Sequence, residues 1–302
     1  MNFCLKTPAL YAALACLFMA SSGHAAQRKI HLEQLGNPST DQTAHARFRA
    51  FTRQLALSFS TTLPSPSGSL GWHGASAAAF VSLEKPNWDT IEKSNREAIE
   101  KANLKTSGQL FSQQSPLWTQ TGLSVRKGLP YSFEVGVHAK WLSQSSMWTL
   151  AADFKWALNE GIDYLPDFSV RAHIQELFGA APLKLTTGGM DLSLGKSFTL
   201  PRSLVFSVFG GWDLVFVSAS SKTVHFDDGE AKFAAHNPFS NSHNRFYLAF
   251  RVLYWDAFAQ LGFSYSVLKT PMPENAASAP SENENLPLLS LSSAHFGIGY
   301  SF

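Results

Sequence analysis

The sequence has few cysteines, and their positions limit the chemistry available to the chain. The 302 residues include only Cys4 and Cys16, both near the start. If this part is removed as a leader, the remaining chain contains no cysteine. Disulfide bonds, thiolate metal sites and cysteine nucleophiles are then excluded.

Charge and long apolar runs are also scarce. Asp, Glu, Lys and Arg make up 15% of the chain, against about 25% in soluble domains. The net charge of +2 gives no electrostatic reason to expect nucleic acid as a partner. Beyond the leader, no apolar run reaches the roughly 18 residues of a transmembrane helix. These features exclude a polytopic helical membrane protein.

Aromatic residues are abundant, at 13% of the chain. A chain that is poor in charge and rich in aromatics fits a β-sheet with one face toward lipid. It fits a soluble β-rich protein as well, so composition leaves both classes open.

Residues 1–25 have the features of a secretory signal peptide. Lys6 supplies a basic start, residues 9–20 form an apolar stretch too short to span a bilayer, and small residues precede Ala25. We expect cleavage after Ala25 or Ala26. A lipoprotein signal ending at Cys16 is the alternative, but the residues after Cys16 stay hydrophobic and the apolar region would be cut in half.

From residue 117 onward, units of about ten residues alternate between apolar and other side chains and end in turn signals, which predicts β-strands. Phe133, Val135 and Val137, for example, alternate with Glu134 and His138. The clearest units cover 132–141, 148–158, 204–216, 245–254 and 259–267. Weaker candidates cover 70–83, 117–126, 167–178 and 184–196.

The end of the chain carries the most specific pattern. Phe296, Ile298, Tyr300 and Phe302 alternate with small or polar residues, and the sequence stops on Phe302. In this respect the sequence resembles bacterial outer-membrane barrel proteins, whose final strand typically ends in Phe and is read by the barrel assembly machinery. The resemblance implies that these four residues form an assembly signal, with that machinery and outer-membrane lipids as partners.

Connection lengths support a transmembrane antiparallel β-barrel in residues 70–302. Outer-membrane barrels have short periplasmic turns and longer outer loops. Counting back from the last strand assigns the short connections 127–130, 161–166, 200–202 and 255–256 to the periplasm. The same count places 84–116, 142–146, 179–183, 219–243 and 268–287 outside. This scheme predicts an all-β fold of ten strands, or twelve if 51–62 and part of 27–45 also join the wall.

Residues 26–69 precede the barrel. Phe48, Phe51 and Leu55 lie near helical spacing within 44–57, with arginines between them, and Pro64 would end a helix. We expect a short helix at the periplasmic mouth or plugging the lumen. A second helix is predicted at 89–104 in the first outer loop, and 271–287 is expected to be mobile.

The second face of each strand carries charges, which we expect to line the lumen. The candidates are Arg126, Glu134, His138, Lys140, Asp153, Lys155, Arg171, His173, Asp213, Arg245, Arg251 and His295. They could fill a narrow barrel and hold its shape, or line a narrow permeation path. A soluble sandwich could instead expose these charges, but it leaves the terminal motif unexplained.

Catalytic and metal sites find little support. Omptin proteases are also ten-stranded and use acidic pairs and an Asp–His couple, but the segment around His225 and Asp227 departs from that pattern and more plainly predicts a turn. His243 and Asn244 lack the serine context of an outer-membrane phospholipase. The spacings of His225, His236 and His243 are not those of a compact metal site. We expect no enzyme activity and no cofactor.

Two functions remain open. The first is a narrow channel or transporter for small molecules, hydrophobic ones included. Long-chain fatty-acid transporters also place an N-terminal plug before the barrel, although that likeness is architectural only. The second is a structural or surface-interaction barrel with a filled lumen. An open lumen gated by residues 26–69 would favour the first, and a filled lumen the second.

Overall fold

The computed structural model describes residues 29–41, 44–60, 63–86, 110–111, 117–162, 164–201, 203–233, 242–268 and 289–302. The expected signal peptide, the helix predicted at 89–104 and the segment 271–287 lie outside these ranges.

The described chain forms a closed antiparallel barrel of ten strands, which confirms the predicted fold class. The wall strands are β1 (Ala75–Lys85), β2 (Trp118–Gly128), β3 (Phe133–Leu142), β4 (Trp148–Asn159), β5 (Asp167–Phe178), β6 (Leu183–Leu200), β7 (Leu204–Ser221), β10 (Ser242–Tyr254), β11 (Ala257–Leu268) and β12 (Leu289–Ser301). Two short strands, β8 (Val224–Phe226) and β9 (Gly229–Ala231), form a separate hairpin. The barrel closes where β1 pairs with β12.

The twelve-strand alternative is wrong, because residues 51–60 belong to a helix and pair with no wall strand.

The bounds of three predicted strands differ from those in the structure. The strand predicted at 70–83 begins later, at Ala75, since residues 71–74 make a turn in which Gly71 has a φ of +74°. The strands predicted at 184–196 and 204–216 are longer, because β6 and β7 pair with each other along 18 residues each.

The alternation along each strand separates two surfaces of the wall, as a side-chain period of two requires. On β3 and β4, Val137 and Phe154 are exposed on the outside of the barrel, while Glu134 and Asp153 are buried inside it. On these two strands most of the large apolar side chains therefore face outward and the charged side chains face inward.

An N-terminal helix fills part of the barrel. A 3-10 helix covers Leu32–Leu35, and helix α1 covers Ala44–Ser60. Phe48, Phe51 and Leu55 of α1 are completely buried. Of the two placements expected for this helix, the structure has the one inside the lumen, and α1 continues three residues beyond the predicted end. Within the described ranges, no helix is both long and apolar enough to cross a membrane.

Candidate functional site

The two ends of the barrel differ in their connections, and this difference orients the site. At one end, termed the turn end, the strands are joined by residues 129–132, 160–166, 201–203 and 255–256. At the other, termed the loop end, the longest connections cover 86–117, 222–241 and 269–288. Residues 44–60 and 63–70, termed the lumen segment, occupy the space between the two ends.

Toward the loop end, α1 packs into an apolar interior. Phe48 stacks on Phe233 with ring centroids 4.6 Å apart, and Phe51 contacts Phe111 at 5.7 Å. Buried apolar side chains of the wall belong to the same cluster, among them Trp118, Leu142, Leu177, Leu183, Leu185, Val215, Val217 and Leu291. This half of the lumen is thus packed like the core of a soluble domain.

At the C-terminal end of α1, wall side chains bind the last carbonyl groups. Gln120 donates to the Ser58 carbonyl at 2.8 Å, and Gln175 donates to the Phe59 carbonyl at 2.7 Å. Lys140 also donates to the Phe59 carbonyl. These carbonyls have no partner within the helix, and a cation complements the negative end of the helix dipole. The wall therefore supplies the cap that the helix lacks.

Toward the turn end, the interior is charged. One cluster centres on Arg126, which lies 3.0 Å from Asp153 and 3.7 Å from Glu134. Lys155 completes it at 2.9 Å from Glu134, and His138 contacts Asp153. Because all five side chains are buried, each charge is compensated by a neighbour rather than by water.

A second cluster lies on strands β5, β6, β7 and β10. Arg171 lies 2.5 Å from Asp191, which also accepts a hydrogen bond from the Tyr247 hydroxyl at 2.9 Å. Asp213 is paired with Arg245 and, at 3.0 Å, with His173.

The two remaining predicted residues have separate surroundings. Arg251 lies over the Phe258 ring at 3.8 Å and donates to the Gln260 side chain at 3.0 Å. His295 lies between the hydroxyls of Ser82 and Ser293, at 2.9 and 3.0 Å.

All twelve candidate lumen residues thus lie inside the wall. Eleven are buried and His173 is half-buried. Nine fall into the two charged clusters, Lys140 binds the helix end, and Arg251 and His295 stand apart. Sequence reasoning missed Asp191 and Tyr247. Asp191 continues the inward alternation of the predicted strand 184–196, but Gly188 and Gly189 weaken that pattern.

The extended part of the lumen segment runs through the charged half. Lys155 donates to the carbonyls of Pro66 and Gly68 at 2.8 Å each, and Gln260 donates to the Pro64 carbonyl at 2.7 Å. Arg126 donates to the Ser65 hydroxyl at 3.2 Å. The charged side chains therefore hold backbone and hydroxyl groups of the lumen segment as well as one another.

At the turn end, Glu160 fixes the exit of the lumen segment. It accepts hydrogen bonds from the Ser69 amide at 2.6 Å and the Ser132 hydroxyl at 2.6 Å. Partial burial raises the pKa of Glu160, but these bonds outweigh that effect and lower it below its ordinary value. A shallow cavity of about 440 Å³ opens beside Glu160, lined by Trp72 and Tyr131 among others.

At the loop end, the β8–β9 hairpin contacts the start of the described chain. Asp228 accepts a hydrogen bond from Asn37 at 2.7 Å and one from Thr40 at 3.1 Å. The bond from Asn37 is the main reason why the pKa of Asp228 is lowered. Asp227 and Asp228 form the turn of the hairpin, as the sequence predicted.

Other candidate chemistry is not assembled in the described part of the chain. His225 is exposed and pairs with Glu230 at 2.9 Å, whereas His243 is buried within β10. His236 lies outside the described residues. Among those that are described, no group of three His, Cys, Asp or Glu side chains could hold a metal ion. The absence of enzyme activity stays a prediction.

The proposed assembly residues lie on the outside of the barrel. Phe296 and Tyr300 are exposed, and Ile298 on the same face is half-buried. Phe302 is also exposed, and its backbone pairs with Ala75 of β1. Their role as an assembly signal stays a prediction.

Comparison with known proteins identifies no family. No protein-family model and no curated protein matches the chain. Among solved structures, the N-terminal beta-barrel domain of Pseudomonas aeruginosa OprF has 9% identity and a TM-score of 0.28, over 77% of this chain and 99% of that one. Ail, the attachment invasion locus protein of Yersinia pestis, has 10% identity and a TM-score of 0.26, over 76% and 99%. LpxR from Salmonella typhimurium has 7% identity and a TM-score of 0.37, over 74% and 99%. These values are low, so the assignment of the fold rests on the barrel's own strand pairing.

Proposed function

We propose that the protein is a bacterial outer-membrane β-barrel, with the turn end in the periplasm and the loop end at the cell surface. Large apolar side chains are exposed on the outside of its wall strands, among them Val125, Val137, Leu150, Phe154, Ile174, Leu194, Phe246, Leu248, Phe263 and Phe296. Such a surface is costly in water, at about 25 cal/mol per Å². In hydrocarbon it is favourable, and a closed barrel leaves no unpaired strand edge.

Export and assembly belong to the same proposal. The signal peptide expected at 1–25 would direct the chain across the inner membrane, and the strand ending at Phe302 would then be recognised by the barrel assembly machinery. Fractionation of cells tests this step: the mature protein should require detergent and separate with the outer membrane. A protein that remained in the soluble periplasmic fraction would contradict the proposal.

We further propose that the barrel is closed in its resting state and acts through its cell-surface end. The observation that carries this proposal is the packing of α1 in the lumen. Phe48, Phe51 and Phe59 are buried there, and burial of each such side chain contributes roughly 1.5–3 kcal/mol. A structural or surface-interaction barrel fits this filled lumen better than an open channel does.

A gated channel or transporter for small molecules, hydrophobic ones included, is the second candidate. It is favoured by the charged inner wall, because withdrawal of the lumen segment would leave a polar passage near Arg126, Asp153 and Asp213. An outer-membrane protease is a remote third possibility with no assembled site to support it among the described residues.

Conductance in planar bilayers distinguishes the closed barrel from the channel. The refolded mature protein should be silent, and a variant lacking residues 27–69 should give discrete conductance steps, because the lumen segment is then missing. Gel migration before and after heating verifies that both proteins are folded. Steady conductance by the folded, full mature chain would overturn the closed state and favour the channel.

A further inference from the structure

The lumen segment crosses the barrel once, in a defined direction. Its 17-residue helix covers about 25 Å at 1.5 Å per residue, and the extended residues 63–70 cover the remaining distance. The path begins at the loop end and finishes at the turn end, where β1 starts. The two ends of this path are fixed by independent contacts.

At the loop end, the described chain begins among the long connections. The His31 amide donates to the Leu110 carbonyl at 3.0 Å, and Ile30 forms a β-bridge with Phe111, both in the connection between β1 and β2. Asn37 binds Asp228 in a different connection, between β7 and β10. Residues 29–41 therefore form a cap, termed the loop-end cap, that contacts two separate loops.

At the turn end, the segment leaves the lumen beside the short turns. Leu70 donates its amide to the Glu134 side chain at 2.5 Å, and the Ser69 amide binds Glu160 in the β4–β5 turn. The chain then reverses over residues 71–74, and Ala75 begins the wall by pairing with Phe302. Specific contacts thus fix the position of the chain at the turn end as well as at the loop end.

We infer that, in the outer membrane, the chain enters the barrel from the cell surface, so that a peptide joined before Lys29 is held outside the cell. The barrel then displays the beginning of its mature chain at the cell surface. This inference rests on the proposed outer-membrane location and on the assignment of the loop end to the cell surface. It adds that the N-terminal side of the chain lies at the surface rather than in the periplasm.

Single cysteines test the direction, because the chain after the expected leader has none of its own. Ser39→Cys reports on the loop-end cap, Lys222→Cys on the loop end independently of the cap, and Tyr164→Cys on the turn end; all three positions are exposed. Cells are treated with a membrane-impermeant maleimide, intact or after permeabilisation of the outer membrane. Cells carrying the protein without these substitutions give the background, and heat-modified gel migration verifies folding.

The inference predicts that Ser39→Cys and Lys222→Cys are labelled equally in intact and permeabilised cells, and Tyr164→Cys only after permeabilisation. If Lys222→Cys is labelled on intact cells but Ser39→Cys only after permeabilisation, the direction is wrong while the outer-membrane proposal stands. If Ser39→Cys reacts in neither state but does react in denatured protein, the exposed cap is wrong. If Lys222→Cys fails on intact cells, the proposed orientation itself fails.

An epitope inserted between Arg28 and Lys29 tests directly whether the N-terminal side of the chain is displayed at the cell surface. Antibody should bind intact cells, as it should with the same epitope inserted after Lys222. Binding to the N-terminal epitope only after permeabilisation, with the Lys222 epitope accessible, would contradict the display of the N-terminal side at the cell surface.

Discussion

At the scale of single residues, the lumen is organised by a row of charges that follows the strand register. Six successive wall strands each place one charged side chain directly beside the next, namely Glu134, Lys155, Arg171, Asp191, Asp213 and Arg245. Every carboxylate in this row contacts a cation. Buried charges are tolerated only when they are paired with opposite charges. The stability of the barrel therefore depends on having both cations and carboxylates in this row.

The pair of Arg171 and Asp191 allows a test of this requirement. Replacing Arg171 by Met leaves Asp191 without its ion pair, and loss of one buried partner costs about 3–5 kcal/mol of unfolding free energy. The double variant Arg171→Met, Asp191→Leu should recover part of that loss. Denaturant unfolding in lipid vesicles measures the values, with exposed Lys184→Met on β6 as the control. A single variant no less stable than this control would contradict the role of the pair.

Glu160 predicts a pH dependence at the turn end. Its pKa is lower in the folded protein than in the unfolded chain, so the hydrogen bonds from Ser69 and Ser132 contribute stability above the unfolded pKa. This contribution is lost as the pH falls through the lowered, folded value. The midpoint of denaturant unfolding should therefore differ between the native protein and Glu160→Gln at neutral pH, and the difference should shrink in acid. A difference that is constant with pH would refute this prediction.

At the scale of elements, helix α1 behaves as a core helix inside a membrane-type wall. Phe48 is completely buried against Phe233, and Phe48→Ala should lower the unfolding free energy by about 3–5 kcal/mol through the cavity it creates. Phe154→Ala is the matched control, because Phe154 is 46% exposed on the outer wall. Equal losses for the two variants would argue against the packed lumen.

The same elements show what could be predicted from the sequence. The period of two identified the wall strands, because each strand has one apolar and one polar face. The spacing of Phe48, Phe51 and Leu55 identified α1 but not its place. Arg47, Thr52 and Gln54, on its other faces, are buried too, and only the closed ring of ten strands provides the space that buries them.

At the scale of the whole molecule, the sequence predicted which side chains face into the barrel. It did not predict which of them contact one another. The alternation placed Arg126 and Asp153 inside, yet the contact between them skips strand β3. Gly136 of β3 pairs with both residues, and because it has no side chain the two charges meet across it. The contact depends on the register of three strands, which the pattern along one strand does not encode. The apolar loop-end half of the lumen was missed for a related reason. Its inward residues Leu185, Val215 and Val217 look locally like a lipid-facing set.

The pairing of β1 with β12 has a consequence for the order of assembly. Every other strand pairing of the wall joins strands that follow one another along the chain, with only the β8–β9 hairpin between β7 and β10, whereas Ser76 of β1 pairs with Ser301 of β12. Bringing these distant strands together costs about 5 kcal/mol of loop-closure entropy, so we expect this seam to form late. A ring that closes last around the lumen segment needs no threading, whereas a ring that closes first must have that segment drawn through it. The hydrogen bonds between Ala75 and Phe302 would then complete the wall and trap its contents in one step.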